Sequence, residues 1–258
     1  MKIGLIGQGA IARYVADALS PSAHEVVAVL LRPERARANV PLEFRSVDAL
    51  PADIDVMIDC AGHTALAAYG PPLLARGTDV ITVSLGALAD QVTAGALEDA
   101  ATAGQSKLHL ASGAIGALDC LRAARVGTLN TVTYTGRKPP QGWIGSPADD
   151  VLDLAGLTQG AHTHFEGTAR QAALTYPKNA NVAAAVALAG LGFDATRVQL
   201  IADADISHNI HEVTAAGDFG SFQFQISGKA LPDNPRSSAL AAMSVVTKLD
   251  QLSAAVTF

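Results

Sequence analysis

A short glycine-rich segment near the N-terminus is the first part of the sequence with a recognisable chemical use. Gly7-Gln8-Gly9-Ala10-Ile11-Ala12 fits the pattern G-x-G-x-x-A, after an apolar run and before a stretch with helical spacing. Such glycines permit a tight turn and let the backbone approach a pyrophosphate, and free N–H groups at the helix N-terminus favour phosphate. The segment predicts a dinucleotide-binding loop, and a plain strand–turn–helix corner is the alternative.

The end of the second predicted strand bears on the choice between NAD and NADP. A carboxylate roughly 20 residues beyond the loop binds the adenosine ribose in NAD-binding proteins of this type. Here the strand ends Leu30-Leu31-Arg32-Pro33-Glu34, so Arg32 takes that place. We expect Arg32 to pair with a 2′-phosphate, which favours NADP without excluding NAD. After the third apolar run, Ala61 is small enough to let a nicotinamide ribose pass, and the neighbouring His63 is either a cofactor contact or a helix-start residue without a role.

Two polar segments in the second half of the chain are candidates for substrate binding and proton transfer. Residues 176–182 precede an alanine-rich stretch with the character of a buried helix, and residues 203–213 contain two histidines three positions apart. The candidate side chains are Lys178, Asn179, His208 and His211. If the second segment is a strand, its histidines face opposite sides, so at most one points into a given site.

The sequence excludes several other kinds of site and protein. His-x-x-His-Glu at 208–212 lacks the ligand arrangement of a zinc site, and no serine has the G-x-S-x-G context of a hydrolase. The two cysteines, Cys60 and Cys120, are too few for a disulfide framework and are read as small buried thiols. We therefore expect no metal.

Composition narrows the class of protein further. The chain has 258 residues, 49% of them hydrophobic and 16% charged, which excludes a disordered chain. Its net charge of −6 argues against a nucleic-acid partner, because no basic excess meets phosphate. Residues 3–6 are too short for a signal-peptide core, and residues 179–193 are too short for a membrane span. We expect a cytoplasmic protein without a membrane partner.

The elements that must position these residues change character near residue 112. Before it, apolar strand signals at 2–6, 25–31, 55–59, 79–84 and 107–110 alternate with helical stretches, which predicts a parallel sheet. After it, alternating strands at 131–134, 197–202, 210–215 and 219–226 favour an antiparallel or mixed sheet with one covered face. Residues 136–147, with Arg137 and Lys138, read as a loop that either closes over the site or is solvated. A turn at 231–235 leads to a final helix at 237–252.

The motifs, taken together and in this order, resemble those of the L-aspartate dehydrogenase family over essentially the whole chain. They are the glycine loop, 112–119 (Ser-Gly-Ala-Ile-Gly-Ala-Leu-Asp), 136–140 (Gly-Arg-Lys-Pro-Pro), 176–183 (Tyr-Pro-Lys-Asn-Ala-Asn-Val-Ala), 209–212 (Asn-Ile-His-Glu) and 232–235 (Pro-Asp-Asn-Pro). The order and spacing of the middle motifs are far more specific than the glycine loop. The sequence departs from the family pattern at Arg32, where the family pattern has an acidic strand end.

The resemblance implies an α/β fold made of an N-terminal Rossmann dinucleotide-binding domain and a smaller α/β domain of the dihydrodipicolinate-reductase-like type. We expect the first domain at 1–112 and 236–258, because the C-terminal helix of the family returns to it, and a substrate, catalytic and dimerisation domain at 113–235. The implied reaction is the reversible, NAD- or NADP-dependent oxidation of L-aspartate to iminoaspartate. That product is released to NAD biosynthesis or hydrolysed to oxaloacetate and ammonia. A homodimer is usual in the family.

The same resemblance assigns roles to individual residues. The family's catalytic histidine falls on His211, which would take a proton from the substrate amine near neutral pH. The cofactor contacts fall on the glycine loop and two later positions, namely Gly7, Gln8, Gly9, Ala10, Ile11, Ala114 and Asn181. The two substrate carboxylates need cationic or N–H donors, for which Lys178 is the first candidate and Asn179 and His208 are weaker ones.

Two other functions remain open at this level. One is an imine reductase like dihydrodipicolinate reductase that acts on another dicarboxylate, which a substrate panel separates. The other is a dinucleotide-binding sensor without turnover, because a fold alone does not establish an activity. The structural alternatives for His211 and Lys178 are a strand histidine bonded to the backbone and a surface lysine.

Overall fold

The chain forms two compact units. The computed structural model describes residues 1–20, 22–37, 40–232 and 234–257. The first unit comprises Met1–Ala87, Gln91–Ala111 and Ala241–Phe258, and the second comprises Leu88–Asp90 and Ser112–Leu240. The two units are similar in length, and the second, which was predicted to be the smaller, is not shorter than the first. No helix in the described part of the chain is long and apolar enough to cross a membrane.

A six-stranded parallel sheet forms the centre of the first unit. Its strands are β1 (Lys2–Ile6), β2 (Glu25–Leu30), β3 (Glu43–Phe44), β4 (Val56–Asp59), β5 (Asp79–Thr82) and β6 (Leu108–Leu110). They lie in the order β3-β2-β1-β4-β5-β6, with every neighbouring pair parallel. The order reverses beside β1, which is the Rossmann arrangement and defines a switch point at the carboxyl ends of the strands.

Helices cover this sheet and supply its apolar core. They are α1 (Ala10–Leu19), α2 (His63–Ala75), α3 (Gln91–Gly104) and the C-terminal helix Ala239–Ser253. Helix α1 buries Ala12, Val15 and Leu19, whose spacing of three and four residues places them on one face. From the C-terminal helix, Val245 and Leu249 join the core that contains β1. The predicted return of this helix to the first domain is confirmed.

The second unit contains a five-stranded mixed sheet. Its strands are β7 (Leu129–Lys138), β8 (Ala161–Thr168), β9 (Arg197–Asp203), β10 (Asn209–Gly217) and β11 (Gly220–Gly228), in the order β11-β10-β7-β9-β8. Only β7 and β9 are parallel. Its helices are α4 (Leu118–Ala124), α5 (Ala169–Thr175) and α6 (Asn181–Ala189). Val182 to Ala187 are all buried, as expected for the alanine-rich stretch.

Some expectations for the second unit were wrong. Strand β7 continues to Lys138, so the predicted loop at 136–147 begins three residues later than expected. Strand β8 and helix α5 were not predicted, because their short polar-rich segments have weak periodicity. Cys120 is exposed on α4 rather than buried. The predicted turn at 231–235 joins two short paired strands, β12 (Ala230–Leu231) and β13 (Asn234–Ser238), and its Asp233 lies outside the described residues.

Candidate functional site

The first unit contains a cleft of about 970 Å³ at the switch point of its sheet. The glycine loop forms one side with Gly7, Gln8 and Gly9, and Leu31 and the following residues form another beyond β2. Helix α2 closes the cleft with small side chains and one aromatic ring, namely Thr64, Ala65, Ala68 and Tyr69. A doubly wound sheet binds its ligand in this position.

The two loop glycines fit a dinucleotide for different reasons. Gly7 has a φ of +90°, and a Cβ there would lie 2.9 Å from the Cβ of Ala61, so only glycine fits. A Cβ on Gly9 would meet only the Cys60 carbonyl oxygen, at 4.0 Å, and would otherwise project into open space. Gly9 caps α1 without a side-chain hydrogen bond to the helix. The turn therefore leaves room and helix N–H groups for a phosphate.

On the opposite side of this cleft, a buried carboxylate holds the loop that follows β4. Asp59 is fully buried at the end of β4 and accepts hydrogen bonds from the Thr82 and Ser84 hydroxyls at 2.8 and 2.5 Å. It also accepts from the backbone N–H groups of Ala61 and Gly62 at 3.0 and 3.2 Å. Burial raises the pKa of Asp59 despite these donors. The carboxylate thereby fixes the turn that carries Ala61 into the cleft.

Three arginines give the cleft a positive rim. Arg32 and Arg35 follow β2, and Arg13 lies on α1, where its guanidinium donates to the Gln8 carbonyl at 3.3 Å. Arg32 pairs with Glu34 at 3.5 Å, and both side chains are more than 60% exposed. Exposed pairs of this kind contribute little free energy, so Arg32 is available to another anion.

In the second unit, His211 is held by a tyrosine on the neighbouring strand. His211 is 4% exposed, and its Nδ1 lies 2.8 Å from the Tyr134 hydroxyl. Gly136 pairs directly with His211 across β7 and β10, and a Cβ on Gly136 would lie 2.7 Å from that hydroxyl. Glycine is therefore needed for Tyr134 to reach the imidazole. Tyr134 is the hydrogen-bond partner within the described residues, which leaves Nε2 for another group.

Burial and a neighbouring cation keep His211 neutral. Burial lowers the pKa of His211 to about 4, and the charge of Lys138 adds to this effect. Burial also raises the pKa of Tyr134, so its hydroxyl stays protonated. When Nδ1 carries the imidazole proton and donates it to the tyrosine oxygen, Nε2 is free to accept a proton. The arrangement is suited to a general base at Nε2.

Lys138 ends the same strand as a buried cation. It is 9% exposed, donates from Nζ to the Asn179 Oδ1 at 2.7 Å, and lies 4.8 Å from the centre of the Trp143 ring. Burial lowers its pKa to about 8. Beside it, His164 bonds the Tyr176 hydroxyl through Nδ1 at 3.2 Å, while its buried Nε2 has no partner in the described part of the chain.

Family models and known relatives match nearly the whole chain. Residues 4–111 match the family model "Homoserine dehydrogenase, NAD binding domain", and residues 119–252 match "Aspartate dehydrogenase, C-terminal". The L-aspartate dehydrogenase of Ruegeria pomeroyi is 56% identical, covering 99% of this chain and 94% of the relative, and that of Pseudomonas aeruginosa is 43% identical, covering 96% of each. The chain belongs to the L-aspartate dehydrogenase family.

A solved structure of an aspartate dehydrogenase supports the same assignment. The crystal structure of the Thermotoga maritima protein superposes with a TM-score of 0.79 at 26% identity, covering 100% of this chain and 99% of that one. The family is one of oxidoreductases, so the predicted enzyme class is confirmed. The first unit is an NAD(P)-binding Rossmann domain, as predicted.

The site residues predicted from the family motifs divide between the two units. In the first unit, Gly7, Gln8, Gly9, Arg32 and Ala61 line the cleft, and Ala10 and Ile11 begin α1 beside it. In the second unit, Ala114 is buried and Asn181 begins α6. Their contacts with a cofactor remain predictions, and so does a role for His63, which begins α2.

The predicted catalytic and substrate residues fall into a clustered pair and an exposed pair. His211 and the half-buried Asn179 belong to a polar cluster that they form with Tyr134 and Lys138 of β7, whereas Lys178 and His208 are exposed. The His208 imidazole bonds Ser207, its neighbour in sequence. Only His211 of the two histidines is buried, and His208 precedes β10 rather than lying on it, so the predicted alternation along one strand does not apply to this pair. Substrate contacts by Lys178 and His208 remain predictions.

The sequence reading gave no definite role to two residues of this cluster. Tyr134 and Lys138 lie with Val132 and Gly136 on the buried face of β7, and the residues between them are less buried. The alternation through Lys138 was the available signal, and the proline pair after it concealed the strand. Among the described residues, no group of three or more His, Cys, Asp or Glu side chains is placed to hold a metal ion.

Proposed function

We propose that this chain catalyses the reversible, NAD(P)-dependent oxidation of L-aspartate. The substrate loses a hydride from Cα and a proton from nitrogen to give iminoaspartate, and water then converts the imine to oxaloacetate and ammonia. Bound NAD(P) supplies the hydride acceptor in the forward direction. The observation that carries the proposal is the buried neutral imidazole of His211, fixed at Nδ1 by Tyr134, in a chain of this family.

His211 is proposed to take the proton from the substrate ammonium at Nε2. The neutral amine then has a lone pair that assists loss of the hydride from Cα. A histidine with a pKa of about 4 is in the right protonation state at neutral pH but is a weak base. Arrival of a dicarboxylate beside it raises that pKa, because negative charge stabilises the imidazolium. The substrate therefore strengthens the base that acts on it.

The same imidazole is proposed to serve the hydrolytic half of the reaction. After the imine forms and Nε2 has passed its first proton to solvent, the neutral imidazole can accept a proton from water as the oxygen attacks the imine carbon. The Nδ1 contact with Tyr134 holds the ring in one orientation through both steps. Helix α6 packs against β7, and Gly190 at its end lies against Val132 on the buried face of that strand, which limits the access of bulk water to the imine.

The rim arginines support acceptance of NADP as well as NAD. Arg32 and Arg35 stand where an adenosine 2′-phosphate would lie beyond β2. Exchange of Glu34 for a phosphate at Arg32 costs little, because the Arg32–Glu34 pair is exposed. A homodimer, as expected for the family, also remains a prediction, and multi-angle light scattering measures it.

The test of the proposed function is the consumption of NADH and NADPH with oxaloacetate and ammonia, followed by absorbance of the reduced coenzyme. We expect turnover with this pair, and reduction of the coenzyme with L-aspartate in the reverse direction. Dihydrodipicolinate serves as the competing substrate. Turnover with dihydrodipicolinate alone would favour the other imine reductase, and coenzyme binding without any turnover would favour a sensor.

A further inference from the structure

The polar cluster of the second unit contains a buried positive charge that lacks a negative partner. Lys138 is 9% exposed, and lysine is rarely buried to this extent unless it is paired. Its contacts are the amide oxygen of Asn179 and the face of Trp143, both uncharged. Among the described residues, no carboxylate lies within ion-pair distance of its Nζ.

The neighbouring residue on β7, Arg137, is a cation that has a carboxylate partner. Arg137 points to the other face of β7 and pairs with Asp203 at 3.2 Å, while its side chain is 42% exposed. The neighbouring strand β9 thus supplies a carboxylate to Arg137, the cation that water already stabilises. Lys138, the cation that burial destabilises, has no such partner among the described residues. This contrast indicates that the partner of Lys138 comes from outside the chain.

Lys138 also shares a strand face with the proposed base. His211 pairs directly with Gly136, and Lys138 lies two residues further along β7, on the same side of the sheet. Such diagonal neighbours are about 7–8 Å apart in an antiparallel pair. The charge of Lys138 also lowers the pKa of His211, in agreement with this proximity. One small amino acid can therefore contact both side chains.

We propose that the Lys138 ammonium, held in place by Asn179, binds a carboxylate of the substrate while the substrate amine faces His211. This inference rests on the proposed function, because it names the group that selects an acidic substrate for that reaction. Asn179 accepts one of the three ammonium hydrogens and Trp143 covers part of the charge, which leaves donors for a carboxylate. The substrate then supplies the missing countercharge.

The first test is Lys138→Met, which keeps the length of the side chain and removes the charge. We expect the KM for L-aspartate to rise by about tenfold or more, with a smaller change in kcat, because a charge-assisted contact is lost. Calorimetric titration with succinate, a dicarboxylate that cannot react, should show the same loss of affinity. Lys229→Met, at an exposed lysine of the same unit, should change neither value. Wild-type values of KM and succinate affinity in Lys138→Met would overturn the proposal.

A second variant keeps the proposal testable if Lys138→Met fails to fold. Asn179→Asp places a carboxylate against the ammonium and so supplies the missing partner from within the chain. We expect an equal or higher melting temperature, because the buried charge is now paired, together with a raised KM and weaker succinate binding. A merely structural lysine would give the higher melting temperature with an unchanged KM, and that result would overturn the proposal.

The two proposals fail in different ways. If the wild-type protein binds succinate through Lys138 but does not oxidise L-aspartate, the proposed function is wrong and the carboxylate site stands. If the wild-type protein oxidises L-aspartate and Lys138→Met does so with an unchanged KM, the carboxylate site is wrong and the proposed function stands.

Discussion

The cleft of the first unit and the polar cluster of the second present different kinds of groups to an anionic ligand. The cleft relies on backbone and small residues, with arginines such as Arg32 exposed at its rim. The cluster relies on buried side chains, with Lys138 and His211 both less than 10% exposed. A dinucleotide is long enough to be held by many weak contacts, whereas a small dicarboxylate must be recognised by a few strong ones.

The exposed rim and the buried cluster should respond differently to mutation. A substitution at the exposed rim changes which ligand binds and leaves the fold intact. A substitution in the buried cluster changes the chemistry and the stability together, because each polar group there depends on its neighbour. Substitutions at His211, Arg32 and Tyr134 probe this difference.

Removal of the proposed base should have the largest effect. We expect His211→Ala to lower kcat by about 10²- to 10⁴-fold, the usual contribution of a general base. Coenzyme affinity, measured by fluorescence titration, should stay unchanged, because the coenzyme cleft belongs to the first unit. His162→Ala, at an exposed histidine of β8, serves as the control and should retain wild-type turnover. Near-normal kcat in His211→Ala would reject this imidazole as the base.

A change at the rim of the cleft should alter coenzyme choice alone. We expect Arg32→Ser to lower kcat/KM with NADPH by about tenfold, equivalent to roughly 1.4 kcal/mol, because the 2′-phosphate loses a charged partner. The value with NADH should change little, and so provides the control within the same protein. Equal losses with both coenzymes would place Arg32 elsewhere in the cleft.

Loss of the tyrosine that orients the base should have a smaller effect on turnover. We expect Tyr134→Phe to lower kcat roughly fivefold, because the buried Nδ1 loses its partner and the ring its fixed orientation. Gly136→Ala should give a similar loss, because its Cβ displaces the same hydroxyl. The KM for L-aspartate should stay at its wild-type value in both variants. If KM rises and kcat does not fall, Tyr134 contacts substrate rather than orienting His211.

The smallest effect concerns stability as a function of pH. Burial lowers the pKa of both His164 and His211 to about 4 from the ordinary value of 6.5. Between pH 4 and 6.5 these histidines bind more protons in the unfolded chain than in the folded one. The free energy of unfolding therefore rises with pH through this window, and the histidines' contribution to it is lost as the pH falls towards 4. Each histidine contributes a slope of at most about 1.4 kcal/mol per pH unit.

Urea unfolding of the wild type and of His164→Phe across this pH window measures the contribution of one histidine. The variant should show a shallower slope than the wild type. Asp59 in the first unit acts in the opposite direction, since burial raises its pKa, and the difference between the two proteins isolates the histidine. An unchanged slope would mean that His164 is protonated in the folded state as readily as in the unfolded one.

The sequence was more informative about the first unit than about the second. A fingerprint such as the glycine loop ties residue type to backbone geometry, as the φ of +90° at Gly7 illustrates. Strands β1 and β4 are apolar runs buried on both faces, which are easily recognised. The polar cluster was harder, because it depends on pairing between strands. No short sequence motif predicts that Gly136 pairs with His211, yet this strand register brings Tyr134 to the imidazole.

Lys138 illustrates the same limit. The prolines at 139 and 140 and the glycines nearby indicate a loop, and a lysine in a loop is expected to be solvated. The strand nevertheless extends to Lys138, and its alternating pattern directs the side chain inward. Lys178 has the more suggestive sequence context but lies exposed. Burial is a property of the whole sheet, so a short motif does not determine it.

The position of the C-terminal helix has a consequence for the order in which the chain folds during synthesis. Val245 and Leu249 complete the apolar core around β1, although more than 230 residues separate them from that strand. The second unit, by contrast, is almost one continuous segment, Ser112–Leu240. A ribosome therefore releases all of the second unit before the first can close its core. The dinucleotide cleft, although encoded first, is the last part of the enzyme to mature.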